Sequence, residues 1–292
     1  MSELVEIRHH IKAVEDTRKI TRAMYLISSA KVKRATKLHD QNALSFERVR
    51  SEIRLILDSI HSPLRNPFFG WQGDKTAYLV IAGDKGLCGG YNHEVFKLAD
   101  RVMAETPPEL RSLFTIGHMA AEYFQWKGMN PDVHYLHAIQ EPTLRHARSI
   151  TSELCWLFSE KILDNVIVVF TQLNADGTMK PTAKRLLPIF KEDFSDAAPL
   201  EPTAGALTYH PSRDEALDMM VTHYLIGWTF SAIAQSHASE HFARMTAMYS
   251  ATHNADDMLQ KLNIQRSHAR QQAITEEIIE IVSGAAGLMG GA

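Results

Sequence analysis

The chain has 292 residues, 45% of them hydrophobic and 22% charged, so it is long enough for two domains and apolar enough to fold. Its formal net charge of −3 at pH 7 gives no reason to expect a polyanionic partner. With only two cysteines, Cys88 and Cys155, a disulfide framework is not expected, and this fits a reducing compartment.

The beginning of the sequence has no apolar core of the kind found in signal peptides, and Glu3 and Glu6 are atypical of a transit peptide. The apolar run at residues 166–170 has only the length of a strand. A membrane span needs about 18 or more apolar residues. We therefore expect no signal peptide, no transit peptide and no membrane-spanning segment.

Helix-breaking residues are concentrated in the middle of the chain. All eleven prolines lie between Pro63 and Pro211, and no glycine precedes Gly70. From residue 212 to residue 283 the only breaker is Gly227. This distribution predicts a long helix at each end and a compact domain between them. The predicted segments are 1–62, 63–211 and 212–292.

The N-terminal segment shows helical spacing from its first apolar residues, because Leu4, Ile7 and Ile11 are separated by three and four positions. A helix of about 58 residues in this segment, roughly residues 2–61, would be about 85 Å long at about 1.5 Å per residue, so much of it needs a partner helix. We predict that this partner is the C-terminal segment, paired as a long antiparallel coiled coil.

The C-terminal segment opens with a capping box, in which Ser212 accepts from the amide of Glu215. Apolar and small side chains then recur at helical spacing for about 70 residues. We place these residues on the coiled-coil seam: Leu217, Met220, Ile233, Met245, Met248, Ala251, Ala255, Leu259, Leu262, Ala269, Ile274, Ile278 and Ile281. Many seam positions hold small side chains, which allow two helices to approach closely.

The middle segment alternates strand-like and helix-like stretches, which predicts an α/β domain with a Rossmann-like, mostly parallel sheet. The predicted strands cover residues 76–82, 113–117, 165–172 and 179–190. The predicted helices cover residues 93–103, 118–127 and 143–163. Prolines in the last strand place it at an edge of the sheet.

A glycine-rich loop, GDKGLCGGYN at residues 83–92, follows the first strand and precedes a helix. Phosphate-binding loops occupy such a position, but the spacing matches neither a dinucleotide fingerprint nor a Walker A motif. We favour the interpretation that these glycines only allow the chain to turn tightly. No base is near Cys88 in the sequence, so its thiol is predicted to be inert.

The sequence HASEH at residues 237–241 matches a metallopeptidase pattern, because His237 and His241 share a helix face. No third ligand has convincing context, so we predict no metal site and expect solvated histidines.

Residues 17–38 contain seven basic residues and no acidic one, and we call these seven the basic stripe. It comprises Arg18, Lys19, Arg22, Lys31, Lys33, Arg34 and Lys37. Such a stripe is either a solvated helix face or a surface that binds phosphates or an acidic protein.

Three groups of motifs together resemble the γ subunits of F-type ATP synthases. The opening helix is represented by IKAVEDTRKITRAM at residues 11–24, and the central domain by GLCGGYN at residues 86–92. The closing helix is represented by RMTAMYSATHNA at residues 244–255 and RQQAITEEIIEIV at residues 270–282. In this order they are highly specific, and the resemblance covers the whole chain.

The departures from the family pattern are modest. Gly83 stands where the family usually has serine, Ser267 and His268 replace an Asn-Lys pair, and Tyr25 and Leu26 vary the segment after Met24. The chloroplast form of the family carries a redox-regulated dithiol loop. The two cysteines here lie far apart, so we expect no thiol control.

The resemblance implies a mechanical role. The coiled coil would stand inside a ring of three α and three β subunits, and the α/β domain would lie near ε and the membrane ring of c subunits. Ion flow would turn the c-ring and the shaft, and each orientation of the shaft would favour a different β conformation. Such a chain supplies no catalytic side chain and binds no cofactor. The expected location is peripheral, on the cytoplasmic face of a bacterial cell membrane.

The resemblance also implies roles for individual residues. Contacts to the α/β ring are expected from Met24, Arg244, Arg270, Gln271, Thr275 and Glu277. The basic stripe would face acidic surfaces of partner subunits. The central-domain signature loop contains Asp84, Gly86, Cys88, Gly89 and Gly90.

Two other functions remain compatible with parts of the sequence. One is an enzyme whose α/β domain binds a nucleotide and whose coiled coil is a dimerisation arm. The other is a coiled-coil adaptor that places the basic stripe on nucleic acid, in a salt-dependent manner. Neither accounts for all three groups of motifs.

Overall fold

The computed structural model describes residues 2–60, 64–70, 73–174, 177–200, 209 and 212–289, except for the side chains of residues 2, 3, 39, 280 and 284–289. Its helices and strands, in chain order, are α1 (Ser2–Ser59), β1 (Thr76–Ile81), α2 (Tyr91–Met103), β2 (Arg111–Ile116), α3 (His118–Trp126), β3 (Val133–Tyr135), α4 (Leu144–Ser159), β4 (Asn165–Leu173), β5 (Met179–Leu187) and α5 (Arg213–Met289). Two 3-10 helices cover Pro108–Leu110 and Lys191–Phe194.

The chain divides into two compact units. The terminal unit contains Met1–Ser28 and Arg244–Ala292, and the central unit contains Ser29–Ala243. Each unit therefore includes a part of α1 and a part of α5. The predicted segment boundaries at residues 62 and 211 lie outside the described residues, and the three-segment division stays a prediction.

In the terminal unit, α1 and α5 run antiparallel. Arg18 forms an ion pair with Asp256 at 2.9 Å, and the ring of Tyr25 lies 6.1 Å from that of Tyr249. Residues later in α1 contact residues earlier in α5, so the two helices run in opposite directions. The seam is a small cluster of buried apolar residues: Ile11, Val14, Ala255, Leu259 and Leu262. The predicted antiparallel pairing is confirmed in this unit.

In the central unit, the same two helices are again antiparallel. Phe46 of α1 stacks on Tyr224 of α5 with ring centroids 5.3 Å apart, and the Asn42 amide donates to the carbonyl of Gly227 at 3.3 Å. A side chain at Gly227 would place its Cβ 3.1 Å from the ring of Phe46. The only helix breaker between residues 212 and 283 thus lies where α1 approaches α5 closely.

The central sheet has five strands in the order β3-β2-β1-β4-β5. The pairs β1–β2, β1–β4 and β2–β3 are parallel, and β5 is antiparallel to β4 at one edge. The mostly parallel sheet and the edge position of β5 were both predicted from the sequence. Among the described strands, β3 was not predicted, since its three half-buried residues are too few to show a period.

Both faces of the sheet are covered. In β1, Leu79 and Ile81 pack into the core that contains α1, α4 and α5, whereas Tyr78 and Val80 pack against α2 and α3. Successive side chains of a strand point to opposite faces, so a strand covered on both sides needs apolar residues at every position. This explains why the sequence of β1 is almost continuously apolar.

Helix ends follow local chemistry. The backbone N–H of Glu215 donates to the hydroxyl of Ser212 at 3.2 Å, as the predicted capping box requires. The predicted end of α4 at residue 163 is wrong, because the helix stops at Ser159 and Lys161 adopts a left-handed backbone with φ 56°.

Among the described residues, none of the helices is both long enough and apolar enough to cross a bilayer.

The central core gives a stability prediction. Ile53 of α1 is fully buried, whereas Leu44 of the same helix is 82% exposed. We expect Ile53→Ala to lower the free energy of unfolding by about 2–5 kcal/mol, through lost burial and a residual cavity. Leu44→Ala should change it by less than about 0.5 kcal/mol. Urea unfolding followed by circular dichroism measures both, and equal effects would contradict this description of the core.

Candidate functional surfaces

The signature loop, residues 83–92, connects the carboxyl end of β1 to α2. Its polar side chains close the loop on itself and tie it to α3: the Asn92 carbonyl oxygen accepts from the backbone N–H of Gly83 at 2.9 Å, and Asp84 accepts from the backbone N–H of His118 at 3.1 Å. Gly89 has φ +59°, a left-handed conformation that glycine adopts at no steric cost. The geometry supports the interpretation favoured from the sequence, that these glycines allow the chain to turn tightly.

The carboxyl ends of β1 and β4 form the topological switch point of the sheet, because the chain proceeds from β1 toward opposite edges. Ligands of doubly wound sheets bind in the crevice at this point. Here α5 lies over it: the Ser239 hydroxyl donates to the carbonyl of Thr171 at 3.3 Å, and the Tyr91 hydroxyl donates to the carbonyl of Ser236 at 3.0 Å. A helix of the same chain thus fills the usual position of a ligand.

The sequence HASEH lies on this covering part of α5, and its expected solvation is wrong. His237, Glu240 and His241 are only 7%, 4% and 6% exposed. The two imidazole rings contact each other, with centroids 4.5 Å apart and planes at 78°. Most neighbouring positions of α5 are buried as well, so the helix has no solvated face here. Among the described residues, no group of three or more His, Cys, Asp or Glu side chains is arranged to hold a metal ion.

The signature loop and the HASEH segment are therefore adjacent, although nothing in the sequence connects them. A Cβ atom on Gly83 would lie 2.9 Å from the carboxyl carbon of Glu240. Burial raises the pKa of Tyr91, and the negative charge of Glu240 raises it further. The Tyr91 hydroxyl consequently keeps its proton and remains a hydrogen-bond donor at neutral pH.

The basic stripe is divided between the two units. In the terminal unit, Arg18 pairs with Asp256 at 2.9 Å and Lys19 pairs with Asp16 at 3.0 Å, whereas the Arg22 side chain is exposed. In the central unit, all four basic residues of the stripe are exposed: Lys31, Lys33, Arg34 and Lys37. The stripe thus offers positive charge at the surface of each unit.

The residues expected to contact partner subunits differ in exposure. Arg244 is 6% exposed and Met24 is half-buried. Toward the end of α5 the polar members of the set are exposed: Arg270, Gln271, Thr275 and Glu277. The Thr275 hydroxyl donates to the Gln271 carbonyl one turn earlier at 2.9 Å.

Large apolar side chains accompany those polar residues on the last described turns of α5. Ile274, Ile278 and Ile281 were placed on the coiled-coil seam by their spacing, but they are exposed together with Ile279 and Val282. Helical spacing identifies a shared face and does not show what covers it. This apolar surface was missed as a candidate contact surface.

Comparisons with known proteins match the chain over nearly its full length. The family model described as ATP synthase matches residues 3–288. The ATP synthase gamma chain of Ruminiclostridium cellulolyticum is 38% identical over 97% of this chain and 98% of its own length. The sodium ion specific gamma chain of Acetobacterium woodii is 32% identical over 99% of this chain and 100% of its own length.

The chain belongs to the ATP synthase γ chain family. The resemblance of the three groups of motifs is thereby confirmed.

Solved structures of ATP synthases have the same fold. The rotor of the Euglena gracilis mitochondrial ATP synthase contains a chain with a TM-score of 0.62 and 15% identity, covering 94% of this chain and 99% of its own length. A chain in the OSCP/F1/c-ring structure from the same organism has a TM-score of 0.67 and 14% identity, covering 99% of this chain and 96% of its own length. The expected fold class of γ chains is confirmed.

The two cysteine thiols are shielded from solvent to different degrees. Cys88 is buried, Cys155 is half-buried, and the two sulfurs do not form a disulfide. Burial raises the pKa of Cys155 to about 12. The thiolate is the reactive form of cysteine, so this shift slows alkylation and oxidation at neutral pH.

This pKa gives a reactivity prediction. At pH 8 the folded chain should hold on the order of a thousandfold less Cys155 thiolate than the unfolded chain, whose cysteine pKa is about 8.5. Iodoacetamide labelling of Cys155, followed by peptide mass spectrometry, should therefore be slow in buffer at pH 8 and rise with pH above it. Labelling in urea is the control. Equally fast labelling with and without urea would show that burial does not protect this thiol.

Proposed function

We propose that this chain is the rotating central stalk of an F1Fo ATP synthase. It couples ion flow through a membrane c-ring to conformational cycling of the catalytic β subunits, and the reverse reaction pumps ions at the expense of ATP. The observation that carries the proposal is the end-to-end match with γ chains, which includes both terminal segments and the signature loop. The fold shared with a chain of a mitochondrial rotor supports it.

The partners follow from this role. They are the α and β subunits in a three-to-three ring, the ε subunit and the c-ring. The chain supplies no catalytic residue, metal or cofactor of its own and binds no nucleic acid. It is a peripheral protein on the cytoplasmic face of a bacterial cell membrane, held there through the complex.

The end of α5 has the chemistry of a shaft surface. Exposed apolar side chains between residues 274 and 282 give a water-excluding contact that is non-directional, and this allows the partner surface to change as the shaft turns. The exposed polar side chains beside them give each orientation different hydrogen bonds to partner loops. A differential contact of this kind shifts the populations of open and closed β conformations.

Contacts made outside the end of α5 also belong to the proposal. Met24 and Arg244 contact the α/β ring together with the polar residues of α5: Arg270, Gln271, Thr275 and Glu277. The basic stripe faces acidic segments of partner subunits, because its exposed lysines and arginines attract them at short range. The mechanical division into residues 1–62, 63–211 and 212–292 belongs to this proposal.

Co-expression with α and β subunits from the same genome tests the proposal. The purified assembly should contain three α, three β and one copy of this chain, and its ATPase activity should be lost when the chain is omitted. A chain that stays out of the complex would contradict the role. Tight binding of ATP or NAD by the isolated chain, or salt-sensitive binding of DNA, would favour the alternative functions.

Met24 gives a second test. We expect Met24→Lys to impair coupling, because the added cation would form an unwanted ion pair with an acidic segment of β. Hydrogen bonds to charged groups contribute about 1.5–3 kcal/mol, so one shaft orientation would be favoured about tenfold or more. The measurement is ion pumping per ATP hydrolysed in reconstituted vesicles. Met24→Leu keeps an apolar side chain of similar size and is the control; unimpaired pumping by Met24→Lys would refute the assigned contact.

A further inference from the structure

We infer that residues 236–243 of α5, together with the signature loop and β4, form a clamp that transmits torque between the central sheet and α5. This inference rests on the proposed rotary function. The signature loop then has a mechanical role, as the part of the α/β domain that binds α5.

Two buried hydrogen bonds hold successive turns of α5 to different elements. The hydroxyl of Tyr91, at the start of α2, donates to the carbonyl of Ser236 at 3.0 Å. The hydroxyl of Ser239 donates to the carbonyl of Thr171 in β4 at 3.3 Å. The helix is therefore fixed at two points of its surface and by two parts of the α/β domain.

A third contact depends on a missing side chain. A Cβ on Gly83 would lie 2.9 Å from the carboxyl carbon of Glu240 and 3.0 Å from the Asn92 side-chain oxygen. Glu240 thus packs directly against the backbone at the carboxyl end of β1. Cys88 and Tyr91 of the signature loop form a small buried cluster with Ala243 on the next turn of α5.

A contact that transmits torque must depend on the relative orientation of the two parts that it joins. Apolar burial resists separation, but it is non-directional and by itself does not favour one orientation of α5 about its axis. Hydrogen bonds weaken steeply when the donor moves away from the acceptor direction, and a close-packed interior does not deform continuously. Two hydrogen bonds and one interlocked contact on neighbouring turns therefore resist rotation of α5 about its own axis.

The test removes the two hydroxyl groups and nothing else. The double variant Tyr91→Phe, Ser239→Ala lacks both donors and keeps the apolar packing. Tyr78→Phe is the matched control, because Tyr78 is also buried and its hydroxyl donates to the carbonyl of Val102 at 3.2 Å, away from α5. All three proteins are assembled with α and β subunits before measurement.

The first readout is amide hydrogen exchange of residues 236–243 in the assembled complex. Removing one buried hydrogen bond shifts a local opening equilibrium on the order of tenfold, so exchange should accelerate by about that factor or more in the double variant. In the Tyr78→Phe control, these amides should exchange as they do in the parent. Unchanged exchange in the double variant would overturn the clamp.

The second readout separates a mechanical role from a merely structural one. A bead attached to the α/β domain, with α5 crosslinked to the ring of α and β subunits, reports torsional stiffness through its angular spread. We expect the double variant to lose stiffness and the control to keep it. Equal stiffness in both would overturn torque transmission by these groups. A parent chain that assembles but never rotates with ATP would overturn the proposed function, and the mechanical role with it.

Discussion

Helix α5 covers the carboxyl end of a parallel sheet, and most features of the central unit depend on this packing. A parallel sheet is stable only when both faces are covered, and its carboxyl edge ordinarily remains open as a ligand site. Here α1, α4 and α5 cover one face, and α5 also closes the edge at β1 and β4. The signature loop has the position of a phosphate-binding loop, but its side chains bind this helix and the neighbouring turns.

The same packing explains where the sequence predicted the fold and where it did not. Strands β1 and β4 are continuous apolar runs because each is buried on both faces, so composition alone located them. Strand β3 pairs with β2 through only three residues and has no period to detect. The end of α4 is decided by the left-handed backbone of Lys161, a residue type that gives no stop signal.

Functional surfaces were less predictable than the fold. Spacing alone cannot distinguish a seam from a surface that awaits a partner, so Ile274 and Ile278 were assigned to the coiled coil although they are exposed. The opposite error occurred at His237 and His241, whose polarity indicated solvation although both side chains are buried. In both cases the decisive information is tertiary, namely which other element lies over the helix.

The two units differ in how they are stabilised, and the difference fits a chain that works inside a complex. Within the described residues, the central unit has an extensive buried core, whereas the terminal unit has one cluster of five buried apolar side chains and the separately buried Met248. Helices of this length gain most of their stability from packing of an apolar face and little from intrinsic propensity. Exposed isoleucines at the end of α5 leave apolar surface uncovered in the single chain. A surrounding ring of subunits would bury it, so assembly would stabilise the shaft surface that functions in rotation.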